Sequence, residues 1–450
     1  MRNLRPLLAC IPPLLAMLCC SFALADESRY ATRKGPGIKP TIVRHPPAAD
    51  FSRGEITSIP KHDPAKAREG WQVDLRSFDV RKASLKDSEP DLLHADFDSK
   101  TRWPEEISTL KTFVPDRIME LGRNPGLGLR SLHAKGITGK GVGIAIIDQA
   151  LLVDHAEYKD RLRMYEEIHC AGGQAQMHGP AVASIAVGRS VGVAPGANLY
   201  YIAETHGTWN SNTHEFKWDF TYLAQSIDRI LQVNKGLPRA GRIRVISISV
   251  GWDPRQDGYA AVVAAVQRAR KAGIFVVSSS LSETYADLGM ALNGLGRDPL
   301  TDPNLPASYG PGIWWASEFY GNPDYANRIK QMAPKGLLYV PMDSRCTASP
   351  TGVNDYVFYR NGGWSWSIPY IAGLYALACQ VDPAVNPATF WKVALATGDS
   401  VKITKDGKDY SLYRVVNPAK LIEKLRKPAS EGKYHPAAVP FSCLLPFALS

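Results

Sequence analysis

Between about residues 118 and 427 the chain alternates two hydrophobic periods. GVGIAIID (141–148), IRVISISVGW (243–252) and GIFVVSSS (273–280) are short, apolar, β-branched and almost free of charge. Such runs predict strands buried on both faces, as in a parallel sheet. HGPAVASIAVG (178–188), FTYLAQSIDRILQVNKG (220–236) and YAAVVAAVQRARKAG (259–273) carry apolar positions at helical spacing, and the last closes on Lys271-Ala272-Gly273, a helix stop. Strand–helix alternation predicts an α/β fold, with a mostly parallel sheet and helices on both faces. In such sheets the chemistry sits beyond the carboxyl ends of the strands.

The N-terminal part has a different texture. Arg2 and Arg5 precede an apolar run from Leu7 to Leu24, and Ala23-Leu24-Ala25 has small residues where a signal peptidase reads. Residues 1–25 are therefore expected to be a cleaved signal peptide, and the mature chain to be secreted, extracellular or periplasmic. Residues 26–117 are expected to form an irregular N-terminal extension, retained or removed by the enzyme itself as a propeptide, Pro-rich and then charged. Within it Leu75, Val80 and Leu85 recur every five residues, with Ala95-Asp96-Phe97 a further candidate rung. That spacing suits a small right-handed coil; a loop or strand pair packed on the main domain is the preferred reading. Residues 118–427 make the main domain and 428–450 a tail.

The 450 residues include 53 Lys and Arg against 43 Asp and Glu, a net charge of +10. The two signs are interspersed, so the bias names no partner; neither nucleic-acid binding nor stable membrane insertion is expected, and oligomeric state stays open. Of seven cysteines, Cys10, Cys19 and Cys20 leave with the signal. Cys170, Cys346, Cys379 and Cys443 allow three complete pairings and show no metal-finger spacing. Cys379, inside the apolar AGLYALACQ, is expected to be a buried free thiol; a disulfide among the other three is left undecided.

Three residues carry candidate chemistry. Asp148 ends an otherwise apolar strand. His178 opens a helix kept slim by Gly179, Ala181, Ala183 and Ser184. Ser365 follows Gly362-Gly363 at the start of a helix whose first turn is expected to hold Pro369, although Ser349 and Ser367 are rivals nearby. Singly each is commonplace. Together they supply a nucleophile, the base that activates it and the acid that orients the base.

With these motifs in register the chain resembles the subtilisin-like serine proteases (subtilases, peptidase family S8). GITGKGVGIAIIDQALLVDHAEY is similar to the segment holding the catalytic Asp, here Asp148, with His155 where the family often has a second, noncatalytic His. MHGPAVASIAVGRSVGVAPGANLYYI is similar to the histidine segment, with His178, and GGWSWSIPYIAG to the nucleophile segment, with Ser365. VISISVGW resembles the strand that pairs with substrate backbone, carried onto Ser249, Val250 and Gly251. The closing YRVVNPAKLIEKL is similar to the end of the domain. The resemblance implies a three-layer subtilisin-like fold, polypeptide substrates and no cofactor.

Four departures stand out. Ser282 occupies the position of the oxyanion-hole Asn. Trp364 and Trp366 flank the nucleophile in place of Thr and Met, which should reshape the leaving-group side. Leu281 replaces a Gly that lines the pocket for the residue before the cut. The tract from Ala186 to Val193 is too short for the usual calcium loop, so no metal is expected there. The leading expectation is a secreted serine endopeptidase. The alternatives are a catalytically weak or inactive peptide-binding subtilase fold, and an esterase using the same triad.

Overall fold

The computed structural model describes residues 30–426, except 67–68, 211–212 and 333–335. The expected signal peptide, the tail 428–450 and Cys443 lie outside the described residues. The central sheet has six strands: β1 (Tyr30–Arg33), β2 (Gly143–Asp148), β3 (Leu162–Ala171), β4 (Asn198–Glu204), β5 (Ile243–Ile248) and β6 (Phe275–Ser278), in the spatial order β1-β3-β4-β2-β5-β6. All neighbours are parallel except β1, which pairs antiparallel with β3 at the edge.

Side-chain alternation divides this sheet between two cores. Ala145, Ile147, Ile246 and Ile248 pack under α2 (Thr221–Gly236) and α3 (Tyr259–Lys271). Ile144, Ile146, Tyr201 and Val245 pack under α1 (His178–Val187) and α5 (Trp364–Val381). The expected three-layer α/β architecture is the one observed. A short helix, α4 (Leu281–Thr284), follows β6. A second sheet holds β7 (Ala291–Arg297), β8 (Tyr309–Pro311), β9 (Leu337–Pro341), β10 (Asp399–Lys405) and β11 (Lys408–Val415), in the order β8-β7-β9-β11-β10.

The N-terminal extension is built into this frame. Besides β1, the segment around Ile42 lies along β3, with Tyr165 N–H donating to Thr41 O and Val43 N–H to Tyr165 O, both at 3.0 Å. Arg33 and Arg44 reach the fully buried Glu167, and Gly35 N–H donates to the neighbouring buried Glu166, which Arg229 of α2 also holds. The five-residue rhythm proves to be a small coil of parallel passes, bridged at Glu55–Asp79, Asp79–Arg102 and Val73–Ala95. Leu75, Val80, Leu85 and Phe97 all point into its core. The coil does not stand alone. The strand Ala95–Asp98 pairs with Tyr356–Tyr359, and Phe358 completes the same apolar cluster. The sequence reading offered a coil or a packed strand pair as alternatives; the structure combines them.

Cys170, Cys346 and Cys379 are buried free thiols. None of the described helices is long and apolar enough to cross a membrane.

Candidate active site

Asp148 is the last residue of β2, at the carboxyl end of a central strand of the sheet. His178 Nδ1 lies 2.8 Å from Asp148 Oδ1 and 2.9 Å from Oδ2. An ionised carboxylate only accepts, so this contact puts the imidazole proton on Nδ1 and leaves Nε2 as an acceptor. The Gln149 N–H, 2.8 Å from Asp148 Oδ1, steadies the acid. Close approach of α1 to the strand end needs Gly179, where a Cβ would lie 2.5 Å from Gln149 O.

Ser365 is the second residue of α5, so its N–H has no acceptor within the helix. Its Oγ donates to Ser249 O at 3.4 Å, and Ser249 Oγ donates to Ser365 O at 3.0 Å. The second bond has a local cause. Pro369 lies inside α5, not in its first turn as expected, and lacks the N–H that would otherwise claim Ser365 O. A helix-interior proline thus frees the carbonyl by which the nucleophile segment is tied to the end of β5. His178 Nε2 is enclosed and has no hydrogen-bond partner among the described residues.

Trp366 backs the histidine. Its ring centroid is 5.3 Å from that of His178 and 5.2 Å from that of Tyr359, and the indole is buried. Of the two indoles that flank Ser365, Trp364, 38% exposed, is the one that can face a ligand. The turn before Ser365 is held by Gly363, at φ 65°, where a Cβ would lie 2.6 Å from Trp314 Cη2. It is also held by the fully buried Asp343, which accepts from Gly362 N–H at 3.0 Å and from Ile313 N–H at 2.8 Å. Burial pushes the Asp343 carboxyl up to about 6.

Of the other expected site residues, Ser249 joins the cluster directly, and Val250 and Gly251 continue past it half-buried. Val250 O accepts from Ser279 N–H at 3.1 Å, which ties this segment to the end of β6. Leu281 is buried in the main core. Ser282 is exposed on α4. Ser349 bonds Thr351, and Ser367 is buried with its hydroxyl unpartnered, so the rival serines do not share the Ser365 setting. His155 is likewise structural: its ring nitrogens meet Asp355 O at 2.9 Å and Glu157 N–H at 3.2 Å. The tract after α1 is gathered by the Glu157 carboxylate, which accepts from Ser190 N–H and hydroxyl and from Tyr356 hydroxyl. Sequence reading missed Asp343, an acid closing the apolar LLYVPMD, because nothing local says which loop it faces.

A family model described as the Subtilase family matches residues 139–293, a stretch that includes Asp148 and His178 and ends before Ser365. Subtilisin-like protease 2 of Arthroderma otae is 24% identical over 289 residues, 63% of this chain, and the chain spans 60% of that relative's length. Among solved structures, the prenylagaramide maturation protease PagA shares 17% identity, with 66% of this chain and 98% of that one covered and a TM-score of 0.43. A serine-to-alanine mutant of the protease domain of PatA also shares 17% identity, with 64% of this chain and 97% of that one covered and a TM-score of 0.42.

Proposed function

We propose, on the premise of the match between residues 139–293 and the Subtilase family model, that this chain is a secreted serine endopeptidase using Asp148, His178 and Ser365. The observation that carries the reading is the imidazole of His178, anchored through Nδ1 on a buried carboxylate with Nε2 left unpartnered, and packed on the residue that follows Ser365. A general base needs that polarity.

In the proposed cycle Ser365 Oγ turns from Ser249 O toward His178 Nε2 and gives up its proton there. The Oγ–carbon bond forms at the scissile carbonyl, and its π electrons move onto oxygen. His178 then passes the proton to the departing amine as the carbon–nitrogen bond breaks, leaving an acyl-enzyme. Water attacks that ester with His178 again as base, and the acid product and Ser365 are released. Asp148 stays ionised and stabilises the imidazolium. The Ser365 N–H, at a helix start, faces the developing negative charge. The segment at Ser249, Val250 and Gly251 is the proposed partner for substrate backbone.

A second reading, a peptide-binding subtilase fold that does not cut, draws on the Ser365 hydroxyl facing Ser249 and on Ser282 at the oxyanion position. A fluorophosphonate probe decides between them. The protease reading expects wild type to be labelled at Ser365 and to cleave a blocked peptide amide, and Ser365→Ala to do neither. Unlabelled, inactive wild type would establish the scaffold reading; turnover of simple esters without peptides would make it an esterase.

A further inference from the structure

β7 reads ALNGLGR, and its one carboxamide, Asn293, is only 6% exposed. Buried amides in natural proteins normally spend both ends. Asn293 spends one. Its Oδ1 accepts from the Gly294 N–H at 2.9 Å and from Trp364 Nε1 at 3.3 Å. A backbone N–H and an indole N–H can only donate, so chemistry alone fixes which end of the amide is oxygen. The nitrogen must point away from both, and Nδ2 donates to none of the described residues while Asn293 has no atom among the fully enclosed unpartnered ones.

Where that donor stands matters. Trp364 is the residue immediately before Ser365 and forms the open rim of the site. α4, which carries Ser282, packs on β7. Asn293 therefore lies on the strand that bridges the Ser282 helix and the nucleophile turn, with its orientation set by a hydrogen bond from that turn. Ser282 offers only a short, rotatable hydroxyl from an exposed position. An oxyanion donor has to be preorganised, partly desolvated and aimed before charge develops. Asn293 has the first two properties, and its free end is a donor.

We infer that Asn293 Nδ2 donates to the carbonyl oxygen as it becomes an oxyanion, supplying from β7 the amide that α4 lacks. No proton is transferred by this group; it holds a hydrogen bond that strengthens as charge grows, alongside the Ser365 N–H. The inference rests on the protease reading. Trp364 acquires a positioning role, since its indole holds the amide oxygen turned away from the substrate.

The test is steady-state hydrolysis of a blocked peptide p-nitroanilide by full-length wild type, Asn293→Ala and Asn293→Asp, with inhibition by a peptide boronic acid as a second readout. Removing one oxyanion donor from subtilisin itself costs about a hundred- to a thousandfold in turnover, and Asn293→Ala is expected to fall in that range with KM changed by less than about threefold. Asn293→Asp is the sharper variant. It keeps the oxygen that Gly294 and Trp364 use, so a merely structural role would survive, but it loses the donor and adds negative charge. It is expected to lose at least as much turnover, and its affinity for the boronic acid should fall in step. Asn293→Asp within tenfold of wild-type turnover would overturn the inference, including where Asn293→Ala fails to fold. Wild type that neither turns over nor reacts with fluorophosphonate would fail the protease reading and take this inference with it; active wild type with an unimpaired Asp variant would fail this inference alone.

Discussion

Trp366 lies against the His178 imidazole, the two rings 5.3 Å apart and tilted by 47°, so the residue following Ser365 in the chain forms the wall behind the imidazole. The contact couples two elements, α1 and α5, that stand far apart in the sequence, and Tyr359 supports it from a third direction. An indole placed there limits how the imidazole can swing away from Asp148.

Shortening that wall should loosen both fold and site. Trp366→Ala removes a buried indole, and large-to-small changes of this kind cost about 3–5 kcal/mol. Trp366→Phe keeps an aromatic face toward His178 and should retain most of the stability. Denaturant titration of both variants checks the order; an Ala variant as stable as wild type would contradict the packing role.

Asp148→Asn keeps the side-chain size but offers an amide N–H where an acceptor is needed. It therefore favours the imidazole tautomer protonated on Nε2, which cannot accept the Ser365 proton. Turnover should fall by ~10⁴, the loss known for the same change in another serine protease triad. Peptide-amide kinetics at mildly alkaline pH measure it. A loss below tenfold would remove Asp148 from the mechanism.

Asp343 links stability to pH. Its folded pKa is raised by burial, to about 6 from an ordinary value near 3.8. A raised carboxyl binds more protons folded than unfolded, so its contribution is full below about pH 4 and is lost as pH rises through about 6. Asp343→Asn removes that titration. Subtracting the variant's stability from that of wild type, from below this window to above it, should give a difference that falls across the window and is flat beyond it. A difference rising with pH would show that the clamp on Gly362 and Ile313 works as a carboxylate stabilised by charge.

Residues 30–117 are expected to remain in the working enzyme. They supply β1, the partners of Glu166 and Glu167 at the sheet edge, and the coil core that Phe358 completes. Leu75→Ala, deleting a wholly buried side chain, should cost about 2–5 kcal/mol in global unfolding. Mass spectrometry of fully active protein should find a chain that begins before Val73. Active protein beginning near residue 118 would restore the reading of this segment as a propeptide removed by Ser365.

The hydrophobic pattern alone was enough for β2, β5, β6 and the helices α1 to α3, because strands buried on both faces have few ways to be written. It was also enough for Asp148 and His178 as candidates, since an acid ending an apolar strand and a histidine opening a slim helix are local features. Choosing Ser365 over Ser349 and Ser367 by geometry took the fold, which turns those two toward other surroundings. The position of Pro369 shows the same limit: the sequence contains the proline, but only the helix start at Trp364 makes it interior and frees Ser365 O for Ser249. The five-residue rhythm of Leu75, Val80 and Leu85 was compatible with a coil but did not decide for one over a packed strand pair, because Phe358, which completes the core, lies far along the chain. Asp343 and Asn293 are plain polar residues next to apolar runs until sheet pairing and loop closure bring one to Gly362 and the other to Trp364. Periodicity is written locally; the direction of a buried polar side chain is decided by whatever the rest of the chain brings to it.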